Sequence, residues 1–359
     1  MSQACSLSAA TPGIFPSGPR FRWPQFHPPV VSSASPKTAG KNASRGRTWF
    51  CDSGSPCFLH DGIVYLLLLF LLLLLFAVLA WGPGSHLEFA HRVYRTRHRT
   101  LPSVMATLLR EEQAAYYYGN IAADIINFKG WGGHYNHCHR WTVVSVMQKH
   151  ARTPAEEAFA FGYLSHLAAD TIAHNHFVPY HLARYARSKG LGHLYWEMRA
   201  DRFVPTTRWA VITSLKSDRS LDRLDELVNR AVPRKALPMQ ANKLLFNHVL
   251  LISERDRWRK AVDKLHGFSM APLDESFLER FRRAAVGRVR LALQPKGLES
   301  LLHIDTNGKA AQQAAWKLRK RVLRRFASSA QRRHEAAESA SAFLEGMESP
   351  PPHGGVPHW

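Results

Sequence analysis

The chain has 359 residues, of which 45% are apolar and 21% charged, a balance that excludes a wholly disordered protein and leaves ample material for a core. A formal charge of +21 favours anionic partners: nucleic acid, a membrane surface or a phosphorylated substrate. Three of the four cysteines precede residue 60, so the remainder, with only Cys138, cannot form an internal disulfide.

Residues 1–62 are rich in Pro, Ser and Gly without sustained periodicity. They read as disordered, or as an extension upstream of a misassigned start. Residues 63–80, IVYLLLLFLLLLLFAVLA, form an uncharged apolar run long enough for one membrane-crossing helix. Its end, AVLA before Trp81, also fits a signal peptide, with Val78 and Ala80 at the small-residue positions of a cleavage site. Cleaved signal or retained anchor, it places the body of the protein outside the cytoplasm, secreted or periplasmic.

From Trp81 the pattern is helical, and the expected fold class is all-α. Residues 103–126 read as one helix with Gly119 as its weak point. Thr153, Pro154 and Glu156 make a capping box with Pro at the first helical position, which predicts a helix from about 154 to 176. Helical periodicity returns near 218–231, 240–266, 273–294 and 309–345. The expected organisation is a domain over 81–204, a helical region over 205–345 that packs on it or stands apart, and a flexible tail over 346–359.

The segment HLAADTIAHNH (166–176) sets His166, Asp170 and His174 four residues apart on an otherwise apolar helix. Such a row drifts by only about 40° per step, so these groups face a common point. Asp is rarely buried without a partner or a metal. His193 and Glu197 repeat the four-residue spacing. Upstream lie His86, Asp124 and the cluster HYNHCHRW with His134, His137 and His139. Cys138 is then a buried small residue or a soft ligand between two histidines. Zinc takes imidazole nitrogen and carboxylate oxygen, and a His-x-x-x-acid pair on one turn supplies both without distorting the backbone.

In this order, Trp81 then His86, Asp124, a histidine 13 to 15 residues on, His166-x-x-x-Asp170, a further histidine and His193-x-x-x-Glu197, the sequence resembles the zinc-dependent phospholipase C superfamily. That group also contains single-strand-specific zinc nucleases and the N-terminal domain of the phospholipase D that cleaves glycosylphosphatidylinositol anchors. The resemblance covers about 81–204 and implies an all-helical domain with three zinc ions. It implies Trp81, through its own amine and carbonyl, His86 and Asp170 at one ion. Asp124, His137 or His139, His166 and a bridging Asp170 would serve a second, and His174 or His176 with His193 and Glu197 a third. The helical row favours His174, because His176 is turned away by about 200° on a continuing helix. Asp124 is the candidate to orient or deprotonate the attacking water, or is a plain zinc ligand.

The implied activity is metal-assisted hydrolysis of a phosphodiester, with phospholipid as the first expected substrate. Basic helices such as KLRKRVLRRF (317–326) suit an anionic membrane surface. Single-stranded nucleic acid is the alternative substrate, favoured by positive charge but not by Glu197, where the nucleases use Asp. A non-catalytic zinc-stabilised, membrane-associated binding module is the third reading.

Overall fold

The computed structural model describes residues 82–129, 137–186, 195–196, 199–254 and 273–349. All regular structure among them is helical, as the sequence pattern predicts. The expected N-terminal segments 1–62 and 63–80, and most of the tail, lie outside the described residues. No described helix is long and apolar enough to cross a membrane.

The helices run α1 (Pro83–Thr100), α2 (Ser103–Glu111), α3 (Gln113–Ile125), α4 (Trp141–His150) and α5 (Pro154–Ile172), and a π-helical turn (Ala173–Phe177) leads into α6 (Val178–Tyr185). Then follow α7 (Thr206–Ser217), a 3-10 turn (Arg219–Leu224), α8 (Asp225–Ala231) and α9 (Met239–Glu254). The last are α10 (Glu275–Ala292), α11 (Gly297–Leu301), α12 (Lys309–Arg325) and α13 (Ser329–Ser341).

Helices α3 and α5 form the centre. They cross at two glycines, where a Cβ on Gly119 would lie 2.1 Å from the carbonyl oxygen of Phe159 and one on Gly162 would lie 2.2 Å from that of Tyr116. The missing side chains let the two backbones touch, and Tyr116, Tyr118, Ile121, Phe159, Tyr163 and Leu167 pack around the crossing, all essentially inaccessible. Helix α1 lies against α3, and α10 runs along both α1 and α5. Helices α12 and α13 flank α6. The C-terminal helices therefore pack directly on the segment that carries the histidines, with Phe281 of α10 meeting Phe177 edge-on at 5.2 Å between ring centroids.

Local signals explain where elements start. The Thr153 hydroxyl accepts from the Glu156 N–H while the Glu156 carboxylate accepts from the Thr153 N–H, completing the capping box. Helix α1 has no side-chain cap of its own, and Asp201 supplies one from afar by accepting from the Ser85 N–H at 3.1 Å.

Several expected boundaries move. The 103–126 helix breaks at Glu112 (φ −113°, ψ 41°), not at Gly119, which is a packing contact instead. The 154–176 helix keeps its start, but a π turn at 173–177 carries the chain on to Tyr185 without ending it. The 309–345 stretch is two helices separated at 326–328. Packing continues into the expected tail, because Met347 is buried and its carbonyl accepts from Arg288.

Candidate metal centre

Three helices and one loop bring the site together. Helix α1 supplies His86, α3 supplies Asp124, α5 supplies His166 and Asp170, and the loop before α4 supplies His139. All five are buried, and His86, His166 and Asp170 have no accessible surface. The glycine crossing makes this possible, because Asp124 lies five residues beyond Gly119 and His166 four beyond Gly162.

The distances are short and mutual. His139 Nε2 and His166 Nε2 are 3.0 Å apart, and each lies 3.2 Å from Asp170 Oδ2. His86 Nε2 lies 3.3 Å from the other oxygen, Asp170 Oδ1, and the His86 ring stacks on that of His166 at 3.7 Å. Asp124 Oδ1 stands 3.6 Å from His139 Nε2 and 3.8 Å from His166 Nε2. Two groups, His86–His166–Asp170 and Asp124–His139–His166, each offer three ligand atoms within 4.8 Å of one another.

Second contacts aim these rings. His166 Nδ1 meets the Asn120 carbonyl oxygen at 2.8 Å, and an oxygen there demands that Nδ1 carry the proton. Nε2 then presents its lone pair to the carboxylates. Asp170 is the clearest anomaly: it is wholly buried, yet neither oxygen has an aligned hydrogen bond, and Asp124 Oδ2 is in the same position. A buried acceptor left so costs about 1–3 kcal/mol, and more when charged.

Charge at the site is strongly perturbed. Burial pushes the His86 imidazole down, with the neighbouring His166 adding to it, to about 4. Burial also opposes ionisation of Asp170, but the imidazoles around it hold its carboxyl well below the usual range. Asp124 behaves alike, with burial overcome chiefly by the Lys129 ammonium and by His166. Burial disfavours a charged His139, yet the Cys138 sulfur and the two carboxylates raise it.

Lys129 is the participant that sequence spacing missed. Its Nζ donates to Asp124 Oδ1 at 2.7 Å and lies 3.2 Å from His139 Nε2, with the side chain buried. It reaches the site because Phe128 turns the chain with φ of 53°, just after α3 ends. A lysine five residues after an aspartate breaks the four-residue row of a helix face, so only that turn could have signalled it.

The ambiguous pairs take different places. His139 faces the carboxylates, whereas His137 stands behind it and accepts the His139 backbone N–H at Nδ1. His174 points Nδ1 at the Thr306 carbonyl oxygen at 2.5 Å and shares its field with Asp170 and His139. His176 turns the other way, with Nδ1 on the Phe343 carbonyl and Arg288 as its charged neighbour. Cys138 is buried with Sγ 3.1 Å from His139 Nδ1. Trp81, His193 and Glu197 lie outside the described residues.

The donor set fits zinc. At zinc–nitrogen and zinc–oxygen lengths near 2 Å, tetrahedral ligands sit about 3.3 Å apart, which is the spacing found among these imidazoles and carboxylates. The family model for zinc-dependent phospholipase C matches residues 85–287, more than half of the chain. The chain belongs to the zinc-dependent phospholipase C family. Membership makes it a zinc-dependent hydrolase of the phospholipase type. No curated protein and no solved structure matches it. Within the matched phospholipase C segment fall all the candidate residues except Trp81, and α11–α13 lie beyond it.

Proposed function

We propose that the protein cleaves phospholipids on the glycerol side of the phosphate, as a zinc-dependent phospholipase C. The observation that carries this reading is Asp170, an ionised carboxylate with no accessible surface, both oxygens unaligned with any donor, and three imidazoles converging on it.

His86, His139, His166, Asp124 and Asp170 would hold zinc. The resemblance extends the set to Trp81 and, for a third ion, to His174 with His193 and Glu197. Bound zinc supplies Lewis acidity toward a phosphoryl oxygen and a water acidic enough to attack at neutral pH. Asp124 is the protein's own contribution to that attack. Its Oδ1 is fixed by Lys129, while Oδ2 has no hydrogen-bond partner and can accept a hydrogen bond that orients the water attacking phosphorus. Lys129 keeps Asp124 ionised, so that oxygen stays an acceptor. Asn120 holds His166 in the tautomer that turns Nε2 inward. Dense packing around Asp170 excludes other water and strengthens each charge interaction. The basic surface and residues 63–80 support an extracytoplasmic enzyme working at an anionic membrane.

The test is hydrolysis of phosphatidylcholine micelles by zinc-loaded and chelated protein, with single-stranded DNA assayed beside it. Release of phosphorylated head group that chelation abolishes and Asp170→Asn reduces at least 100-fold is expected. Cleavage of DNA but not lipid would assign the nuclease activity instead, and tight zinc binding without turnover would leave only a binding module.

A further inference from the structure

The family-matched segment ends at residue 287, yet the structure ties its metal centre to a loop farther along the chain, between α11 and α12. Thr306 in that loop is buried and touches two of the candidate ligands at once. Its hydroxyl donates to the His139 carbonyl oxygen at 2.6 Å, and its own carbonyl oxygen accepts from His174 Nδ1 at 2.5 Å. Asn307 Nδ2 adds a second donor to the His139 carbonyl at 3.2 Å.

The loop is built to hold that position. Asp305 accepts from the Asn307 and Lys309 backbone N–H groups, at 3.0 and 2.9 Å, which closes the turn on itself. Its carbonyl takes the Asn175 side-chain amide at 2.7 Å, and the Ile304 carbonyl takes the Trp141 indole N–H at 2.8 Å. Gly308 has φ of 55°, and a Cβ there would lie 2.1 Å from the His174 carbonyl oxygen. Both its backbone conformation and the close approach require glycine. Three contacts therefore reach the π turn or the start of α4, the two places where His174 and His139 leave regular geometry.

We propose that residues 304–308 form a clamp that positions His139 and His174 for metal, with Thr306 as the positioning residue and Gly308 as the hinge that lets it close. Resting on the zinc-enzyme reading above, it assigns a role to a segment outside the matched family region. The Thr306 carbonyl fixes the His174 proton on Nδ1, so Nε2 carries the lone pair that a metal needs. The Thr306 hydroxyl fixes the backbone of His139 in the loop that delivers its ring to Asp170. Contacts of this outer kind are worth about 10- to 100-fold in metal affinity.

The experiment uses the full chain. Zinc affinity is measured by competition with a chromogenic chelator for wild type, Thr306→Val, Thr306→Ser and Gly308→Ala. The His174 tautomer is read in the metal-free protein by long-range proton–nitrogen correlation. A loss of tenfold or more in Thr306→Val with recovery to within threefold in Thr306→Ser, and a His174 proton on Nδ1 in wild type that redistributes in Gly308→Ala, support the clamp. Equal affinity in wild type and Thr306→Val, or an equal loss in Val and Ser variants with matching loss of thermal stability, overturns it. If wild type binds no zinc, the zinc reading fails, and the clamp is still judged by the His174 tautomer in wild type and Gly308→Ala. Should Thr306→Val fail to fold, the Ser and Gly308→Ala pair decides by the same two readouts.

Discussion

Gly162→Ala probes the link between packing and site most sharply. The added methyl would sit 2.2 Å from the Tyr116 carbonyl oxygen and 2.9 Å from the Gly119 Cα, both backbone atoms that cannot rotate away. Helices α3 and α5 must therefore separate by about 1 Å, an overpacking that typically costs about 1–3 kcal/mol. Alanine recovers about 1 kcal/mol of helix propensity, which leaves a net loss of about 2 kcal/mol at the upper end of that range. For a chain of 359 residues that lowers the melting temperature by about 3 °C. Asp124 then moves away from His166 and Asp170, and zinc affinity falls by about tenfold or more. Gly287→Ala is the matched control, because nothing lies within 4 Å of its Cβ position on the exposed side of α10. That variant should gain about 0.5–1 kcal/mol. Thermal unfolding of metal-free protein and chelator competition read both quantities. The proposed coupling fails if Gly162→Ala melts and binds zinc like Gly287→Ala.

Three further outcomes follow from buried charge and capping. Lys129→Met leaves Asp124 without its ammonium and should destabilise metal-free protein by about 3–5 kcal/mol, but zinc-loaded protein by much less, because bound zinc would itself neutralise the Asp124 carboxylate; an equal penalty in urea unfolding of both forms would contradict this. His181 is buried among Phe177, Tyr180, Trp196 and Phe281, and burial lowers its imidazole to about 3. The unfolded chain therefore takes up the proton first as pH falls below about 6.5, and native stability drops by about 1.4 kcal/mol per pH unit from there toward pH 3. His181→Phe should remove about 2 kcal/mol of the loss between pH 7 and pH 5, and parallel urea midpoints for both proteins at the two pH values would rule this out. Thr153→Ala should cost about 1 kcal/mol by opening the capping box, while Thr153→Ser should cost a few tenths, as measured by thermal unfolding.

What the sequence made legible was local. Thr153 and Glu156 specify a helix start by themselves, and His166 and Asp170 share a face because of the helical repeat alone. The order of Trp81, His86, Asp124, a histidine at 137 or 139, the His166–Asp170 pair and the His193–Glu197 pair points to zinc chemistry by resemblance. What stayed hidden depends on distant partners. Gly119 reads as a weak point by propensity, but the backbone of α5 needs exactly that missing side chain, so packing overrides propensity. Lys129 enters through a left-handed residue at Phe128, off every helical register. The choice between His137 and His139 is made by a loop held from Thr306 and Asn307, more than 160 residues away. The π turn at 173–177 separates His174 from His176 through contacts to Thr306 and Phe343, neither of which periodicity near residue 174 could reveal.

The most direct measurement is anomalous diffraction at the zinc edge from crystals of zinc-loaded protein. Caging of the metal by buried imidazoles and carboxylates predicts at least one strong peak about 2 Å from an Asp170 oxygen and from two of the His86, His139 and His166 rings. No peak there, with the Lys129 ammonium still paired to Asp124, would contradict it.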